Sequence, residues 1–325
     1  MKASIMITIV KLLFFLLPIQ FAGAQSGSTS QNVMAYTDVP YKNINTDSVV
    51  NLDIFLPGID SSGRYPVLVI IHGGGWAQGD KNLDSIYYMR RLKSELLKNR
   101  FAVVSINYRL VGKEVHLPVP IDDCKDAIRW LRAHASEYKL DTANIGLWGG
   151  SAGGHLALMT AYTANNQFIG DETLSSHSPR VNYVIDNFGP TNLNALFKIN
   201  LGWFGVFLFK LFYNDLYQIR EKLVFAMSGH QLKSDKKKIK ALFASCSPMT
   251  YVDRNPVPTM IFHGTKDNVV PISQSKKLKK TLDRFSIANE FIIVKDGDHG
   301  FNNRPEKELD ELIDKCIQFL ISNSD

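Results

Sequence analysis

A glycine-rich stretch around Ser151 contains the residue types that nucleophilic chemistry requires. Residues 144–158 read N-I-G-L-W-G-G-S-A-G-G-H-L-A-L, so an apolar run of strand length precedes the serine and a helical pattern follows it. The pattern G-x-S-x-G at a sharp turn from strand to helix is typical of a nucleophile elbow. Glycines two residues before and after the serine leave room for the neighbouring strand and helix, while a strained backbone pushes the hydroxyl outward. We therefore predict that Ser151 is a nucleophile.

Two other interpretations of this stretch are a phosphate-binding loop and a glycine-rich turn with an incidental serine. A phosphate-binding loop is disfavoured, because no G-K-S or G-K-T follows the turn and the spacing G-x-G-x-x-G is absent. The incidental serine is tested by the rest of the chain, because a catalytic serine also needs hydrogen-bond donors, a base and an acid.

A second glycine-rich motif, I-H-G-G-G-W at residues 71–76, follows directly on an apolar run. Consecutive glycines leave backbone N–H groups unshielded, so two of them can point at one oxygen, as an oxyanion hole requires. Gly73 is an alternative donor in this loop, and His72 is expected to brace the loop rather than act as a base. The predicted donors are the N–H groups of Gly74, Gly75 and Ala152.

The base and the acid are predicted late in the chain. The stretch M-I-F-H-G-T-K-D-N-V-V-P at residues 260–271 places Asp267 in the loop after an apolar run, and V-K-D-G-D-H-G-F at residues 294–301 places His299 in the loop after the next one. Loops that leave the carboxyl ends of parallel strands meet at one edge of the sheet. The chain order Ser, Asp, His is the order that α/β hydrolases use. We predict a catalytic triad of Ser151, Asp267 and His299.

Other acids and histidines are weaker candidates for these roles. Asp186 also follows a predicted strand, and Asp296 and Asp298 lie beside His299, so these three are competing acids. The remaining histidines lack a comparable context; they are His116, His134, His155, His177, His230 and His263.

Apolar runs alternate with amphipathic segments along most of the chain. Strands are predicted at residues 36–41, 49–56, 66–71, 101–108, 145–148, 181–185, 258–263 and 291–294. Helices are predicted at residues 83–99, from Pro120 onward, after the elbow and at residues 306–321. The first two strands read as an antiparallel pair, and the later runs read as strands that are buried on both faces. The pattern predicts an α/β fold with a mostly parallel central sheet flanked by helices.

Residues 192–248 break this alternation, because they contain no clear strand and many large apolar residues. Lys198, Asn200 and Lys210 interrupt the most apolar part, so it is not a membrane span. We predict that residues 192–248 form a small helical lid over the carboxyl edge of the sheet, where open α/β sheets bind ligands. Helices of the core are the alternative.

The first 24 residues are predicted to be a secretory signal peptide. Lys2 precedes an apolar segment at residues 12–21, and A-G-A at residues 22–24 is a small-residue cleavage site. An uncleaved anchor is disfavoured because the apolar run is short for a membrane span. Cleavage would leave residues 25–325 as one catalytic domain, secreted or periplasmic, without a membrane span.

Composition excludes several classes of function. The formal charge of +6 falls to +4 without Lys2 and Lys11, and the remaining excess lies mainly in residues 233–240 and 276–280. These basic runs lack interleaved aromatic residues and are expected to be solvated helix faces, so no nucleic-acid partner is predicted. The three cysteines form no C-x-x-C pair, which argues against a zinc site or a disulfide framework but leaves one bridge open. They are Cys124, Cys246 and Cys316.

Five motifs together resemble those of a known group of enzymes. They are H-G-G-G-W, N-Y-R-L at residues 107–110, G-G-S-A-G-G, H-G-T-K-D-N-V-V-P and D-G-D-H-G-F. The combination looks like the α/β-hydrolase-fold esterases of the hormone-sensitive-lipase-like kind, and especially the secreted bacterial carboxylesterases described as acetyl-xylan or feruloyl esterase-like. The resemblance implies an α/β-hydrolase fold and ester hydrolysis through an acyl-enzyme. It also implies that no metal or organic cofactor is needed.

The residues and the resemblance together predict a serine ester hydrolase whose substrate is a small-molecule or polysaccharide-linked ester, such as an acetyl or feruloyl ester. The alternatives are an arylformamidase-like amidase, a peptidase of the prolyl-oligopeptidase type, and a non-catalytic binding module on a hydrolase fold. The peptidase is disfavoured by the H-G-G-G-W loop and by the lack of a propeller-sized N-terminal domain. Acyl chain length, the alcohol and the oligomeric state stay open.

Overall fold

The structure is a computed structural model that describes residues 33–46, 48–58, 63–199, 202, 205, 214–255 and 257–324. The predicted signal peptide and most of the apolar segment at residues 200–213 lie outside the described residues. Among the helices of the described ranges, none has both the length and the apolar character that crossing a bilayer requires.

Eight strands form one central sheet in the order β1-β2-β4-β3-β5-β6-β7-β8. The first two strand pairs, β1 with β2 and β2 with β4, are antiparallel, and every later pair is parallel. The strands are β1 Met34–Asn45, β2 Ser48–Leu56, β3 Tyr65–Ile71, β4 Ala102–Ile106, β5 Leu140–Gly150, β6 Tyr183–Asn187, β7 Thr259–Gly264 and β8 Asn289–Val294. The predicted mostly parallel sheet with an antiparallel start is confirmed.

Helices cover both faces of this sheet. The described helices are α1 Tyr87–Lys98, α2 Val119–Ala133, α3 Ala152–Tyr162, α4 Leu193–Leu196, α5 Asn214–Ser228, α6 Lys236–Ser245, α7 Ser273–Arg284 and α8 Glu306–Ser322. Apolar residues of α1 and α8, such as Leu92 and Ile313, pack on one face, and those of α2, α3 and α7 pack on the other. Because both faces are covered, strands β4 and β6 are buried throughout, as their apolar runs predict.

Some predicted boundaries shift. The helix expected at residues 83–99 begins at Tyr87, because the segment before it is held in Asx turns. The Asp80 carboxylate accepts a hydrogen bond from the Asn82 N–H, and the Asn82 side-chain oxygen accepts one from the Asp84 N–H, both at 2.8 Å. The strand expected at residues 181–185 lies at Tyr183–Asn187, so it begins and ends two residues later than expected.

The region from residue 192 to 248 contains α4, α5 and α6 in its described parts, as expected for a helical segment. Its packing is specific: Arg220 Nε donates to the Phe197 carbonyl at 2.7 Å, and the rings of Phe197 and Phe243 lie 5.5 Å apart. The basic run predicted to be a solvated helix face includes the exposed lysines of α6. That this region acts as a lid stays a prediction.

The three cysteines are buried and unpaired. Cys124 and Cys316 lie inside the two apolar clusters on opposite faces of the sheet, so both are small core residues. The bridge that the sequence left open is therefore absent among these three residues.

Candidate active site

The turn between β5 and α3 holds Ser151 in a strained conformation, with φ +56° and ψ −119°. The Ser151 N–H donates to the Asn187 carbonyl at 2.9 Å, which ties the turn to β6. A Cβ on Gly149 would lie 2.2 Å from the Gly153 carbonyl oxygen, and a Cβ on Gly153 would lie 2.0 Å from the Ile71 carbonyl oxygen. Only glycine fits at both positions, as the elbow pattern predicts.

A continuous hydrogen-bonded chain joins Ser151, His299 and Asp267. Ser151 Oγ lies 2.9 Å from His299 Nε2, and His299 Nδ1 lies 2.8 Å from Asp267 Oδ2. An ionised carboxylate can only accept, so Nδ1 carries the proton and Nε2 is left to accept from the serine hydroxyl. The three residues come from the ends of β5, β7 and β8, and the structure brings all three to one edge of the sheet.

Asp267 is held as an ionised carboxylate. Its Oδ1 accepts hydrogen bonds from the N–H groups of Val269 and Val270 at 2.8 and 2.9 Å. Burial by itself would raise the pKa of Asp267, but hydrogen bonds with His263 and His299 outweigh burial and hold the pKa well below its usual range. A carboxylate that stays charged at neutral pH can orient His299 and stabilise its protonated form.

His263, whose sequence context made it a weaker candidate for the base, is a neighbour of the triad. Its Nε2 lies 3.2 Å from Asp267 Oδ2 and 2.8 Å from the Val270 carbonyl oxygen, and its Nδ1 lies 2.7 Å from Ser275 Oγ. His263 is fully buried, so it supports Asp267 without reaching the serine. The sequence feature that could have identified this role is the position of His263 at the end of β7, four residues before Asp267.

The glycine loop after β3 lies against the elbow. Gly74 and Gly75 have φ values of +106° and +61°, a left-handed conformation that suits glycine. A Cβ on Gly73 would lie 2.9 Å from the Gly150 carbonyl oxygen, so the loop passes close to the residue before the serine. Gly73, Gly74 and Gly75 line the same cavity as Ser151, and Ala152 follows the serine directly. The role of the Gly74, Gly75 and Ala152 N–H groups as oxyanion donors stays a prediction, and their placement beside Ser151 is compatible with it.

Two histidines brace the loop with their side chains, and the backbone N–H of one of them, His155, donates to the Ser151 carbonyl at 3.1 Å. His72 Nδ1 lies 2.7 Å from the Gly73 carbonyl oxygen, and its ring stacks on Tyr108 at 4.3 Å between ring centroids. Trp76 Nε1 donates to His155 Nδ1 at 3.1 Å, and His155 Nε2 in turn donates to the Cys246 carbonyl at 2.7 Å. Burial lowers the pKa of His155 to about 4, which keeps this bridge neutral.

The competing acids do not contact the base. Asp186 is fully buried, and its Oδ1 accepts a hydrogen bond from the Gly189 N–H at 2.9 Å. Asp296 pairs with Lys266 at 3.0 Å on the surface, and Asp298 accepts from the Asn303 N–H at 3.4 Å. The structure thus favours Asp267 as the acid of the triad.

A cavity of about 530 Å³ opens beside Ser151 and His299. The Phe188 ring lies 4.6 Å from the His299 ring and forms part of the wall. The glycine loop and the segment leading to α1 form another side, and Leu196 of α4 contributes from the helical region. Within the described ranges, no group of three or more His, Cys, Asp or Glu side chains could hold a metal ion. The arrangement suits nucleophilic attack on a carbonyl group that enters the cavity.

Comparison with known proteins identifies a family and several relatives of this chain. The model of the BD-FAE family matches residues 52–282. The probable carboxylic ester hydrolase LipM of Mycobacterium tuberculosis is 30% identical over 239 residues, which cover 73% of this chain and 49% of LipM. The chain therefore spans about half the length of the curated relatives that it matches.

Two solved structures resemble the chain over most of its length. The bifunctional GH43-CE protein of Bacteroides eggerthii is 31% identical with a TM-score of 0.68, and the match covers 88% of this chain and 38% of that one. A truncated form of a carbohydrate esterase from gut microbiota is 25% identical with a TM-score of 0.69, covering 91% and 100%. These matches confirm the predicted α/β-hydrolase fold. Because the family match spans well over half of the chain, this protein belongs to the BD-FAE family, within the group of α/β-hydrolase-fold esterases.

Proposed function

We propose that this chain is a serine hydrolase of carboxylic esters, with Ser151 as nucleophile, His299 as general base and acid, and Asp267 as the residue that orients the histidine. The hydrogen-bonded chain from Ser151 Oγ through His299 to Asp267 carries the proposal, because it joins a nucleophile, a base and an ionised acid in one line. The similarity to carboxylic ester hydrolases and carbohydrate esterases supports it further.

The proposed reaction proceeds in two acyl transfers. His299 Nε2 accepts the proton of Ser151 as the serine oxygen attacks the ester carbonyl, and the N–H groups of Gly74, Gly75 and Ala152 stabilise the oxyanion. His299 then donates that proton to the leaving alcohol, and an acyl-enzyme on Ser151 remains. Water attacks the acyl-enzyme in the same way and releases the acid. Each step uses only groups of this chain and water.

We propose acetyl or feruloyl esters on plant polysaccharide as the substrate class. Two of the similar structures are a GH43-CE protein and a carbohydrate esterase, which supports this choice. Secretion through the predicted signal peptide would bring the enzyme to such a polymer. Processing is tested by the N-terminal sequence of the exported protein, expected to start at Gln25; an N-terminus at Met1 would contradict secretion by cleavage.

The first experiment tests the reaction. Wild-type protein should hydrolyse p-nitrophenyl acetate faster than an aryl formamide, and a fluorophosphonate should label it at Ser151. Ser151→Ala should lose labelling and lower kcat by at least about 10⁴-fold, because the acyl-enzyme cannot form. Ser85→Ala, at the exposed rim of the same cavity, serves as the comparison variant. Faster cleavage of the formamide would favour an amidase, and no turnover or labelling would favour a non-catalytic module.

A second experiment tests the substrate class. A series of p-nitrophenyl esters from C2 to C12 is run beside acetylated xylan and methyl ferulate. Release of acetate or ferulate is expected, together with a preference for short acyl chains in the series. A preference for C8 or longer chains would contradict the polysaccharide assignment.

A further inference from the structure

Asn187 is a fully buried polar residue at the cavity whose side chain has no assigned role. It is the last residue of β6, and it lines the cavity beside Ser151. Neither its Nδ2 nor its Oδ1 has a hydrogen-bond partner among the residues that the structure describes. Its backbone carbonyl accepts the Ser151 N–H at 2.9 Å, so the side chain is anchored next to the nucleophile.

A buried amide without partners is unfavourable unless a ligand supplies the missing hydrogen bonds. A buried polar group without a partner loses its hydrogen bonds to water without replacing them, which destabilises the folded state. Buried polar side chains in folded proteins therefore nearly always have partners. The neighbouring Asp186 points to the opposite face, where its Oδ1 meets the Gly189 N–H. The Asn187 amide thus stands on the face that carries Trp148, with the cavity beside it.

Gly150 is the cross-strand partner of Asn187, and it opens space on the same face. Its neighbours in the elbow are glycines for steric reasons, because a Cβ on Gly149 or Gly153 would meet backbone atoms at 2.2 Å or less. The atoms nearest to a Cβ on Gly150 would be those of Trp148 at 3.4 Å and Phe188 at 3.7 Å, both ordinary contacts with side chains. The fold therefore tolerates a side chain at Gly150, and its lack of one leaves room in the cavity directly beside Asn187.

Apart from the Trp148 indole N–H and the Tyr88 hydroxyl, the rest of this part of the cavity is apolar. Its lining includes Ile70, Tyr88, Met89 and Trp148, which belong to β3, α1 and β5 on the same face of the sheet. A single uncompensated amide among apolar walls can discriminate between a ligand that bonds it and one that does not.

The proposed reaction indicates which part of the substrate enters. The leaving oxygen must lie near His299 Nε2 to receive its proton, and the carbonyl oxygen must lie near the glycine loop. The third substituent of the carbonyl carbon is the acyl chain, for which the space above Gly150, the residue before Ser151, is available.

We propose that Gly150 and Asn187 form an acyl subsite that, among acyl groups of the same size, favours those carrying a hydrogen-bonding atom close to the ester carbonyl, such as an ether or hydroxyl oxygen, over plain alkyl groups. The inference rests on the ester hydrolase activity proposed above. Asn187 acts here as a specificity residue that binds the substrate and takes no part in proton transfer.

The test compares two nearly isosteric esters, p-nitrophenyl methoxyacetate and p-nitrophenyl butyrate. Their intrinsic reactivities differ, but that difference cancels when the ratio of their kcat/KM values is compared between variants. In Asn187→Leu, kcat/KM for the methoxyacetate should fall by about tenfold or more relative to the butyrate, because the amide is lost while the volume is kept. Asn165→Leu, the same change at an exposed site outside the cavity, should leave the ratio unchanged.

Two further variants keep the test informative if Asn187→Leu does not fold. Asn187→Ala should lower the same ratio. Gly150→Ala should lower kcat/KM for hexanoate relative to acetate by about tenfold, since it fills the subsite by one methyl group. An unchanged ratio in the folded Asn187 variant would overturn the proposal. Failure of the wild type to hydrolyse either ester would instead contradict the proposed activity, and the subsite would fall with it.

Discussion

At the residue scale, environment separates two aspartates that look alike in the sequence. Asp186 and Asp267 both lie at strand ends near the elbow, and both are buried. Asp267 has two histidines and two backbone N–H groups around it, so its pKa is held low. For Asp186, burial raises the pKa to about 7, although the charge of His263 and the bond from the Gly189 N–H oppose this shift. Only Asp267 is therefore suited to pair with a protonated histidine at neutral pH.

The raised pKa of Asp186 makes the stability of the fold depend on pH. The carboxyl binds its proton more tightly in the folded state than in the unfolded chain, where its pKa is about 3.9. The raised pKa has no effect on the free energy of unfolding below about pH 4, where the carboxyl is protonated in both states. The free energy of unfolding then falls as the pH rises towards about 7, where the folded carboxyl ionises. Asp186→Asn removes this penalty. The free energy of unfolding of this variant, measured with urea, should exceed that of the wild type by an amount that grows from pH 4 to pH 7 and then levels off.

The gain at pH 8 should be roughly 4 kcal/mol at most, at about 1.4 kcal/mol for each pKa unit. The asparagine keeps an oxygen that can accept the Gly189 N–H, so the hydrogen bond is preserved. A gain that is the same at pH 4.5 and pH 8 would show that Asp186 does not titrate as described.

At the scale of elements, the elbow depends on how closely α3 approaches β3. Gly153 lies in the first turn of α3, directly against the carbonyl groups of Ile71 and His72. The same approach brings the glycine loop beside Ser151, since that loop begins where β3 ends. The spacing of the glycines thus positions two parts of the candidate site at once.

Gly153→Ala should destabilise the protein. The added Cβ would lie 2.0 Å from the Ile71 carbonyl oxygen, and because the obstacle is backbone, α3 must move away from the sheet. We expect a loss of about 3 kcal/mol or more in the free energy of unfolding, measured with urea. Gly112→Ala is the matched control, because nothing lies within 4 Å of its added Cβ. Equal stability of the two variants would mean that the elbow is less tightly packed.

At the scale of the whole molecule, buried ion pairs join the N-terminal hairpin to the parallel part of the fold. Lys42 Nζ in β1 lies 2.7 Å from Asp123 Oδ1 and 2.6 Å from Asp126 Oδ2, both in α2. Arg109 and Arg129 neutralise the same two carboxylates from other sides. Because all of these carboxylates are fully buried, removing one cation leaves negative charge without full compensation.

Lys42→Met should therefore destabilise the fold by about 3 kcal/mol, as measured by urea unfolding at pH 7. Lys279→Met is the control, because Lys279 forms its pair with Asp283 at the surface, where such a pair contributes about 0.5 kcal/mol or less. Comparable losses in the two variants would contradict a structural role for the buried pairs.

The sequence by itself determined the features that depend on local pattern. Ser151, Asp267 and His299 could be named because each follows an apolar run, and parallel strands end at a common edge. The α/β class and most strands followed from the alternation of buried runs and amphipathic segments. Boundaries shifted where side chains such as Asp80 offered the backbone turns that compete with a helix.

Only the tertiary structure decided which distant side chains meet. Lys42 pairs with carboxylates more than 80 residues away. The register of β5 against β6 places Gly150 beside Asn187 and creates the proposed subsite, although neither residue forms a recognisable pattern with the other. Periodicity shows which face a side chain takes, but its partner depends on how strands and helices pack across that face. The attacking serine could therefore be predicted from the sequence, whereas the acyl group it receives depends on packing around Asn187.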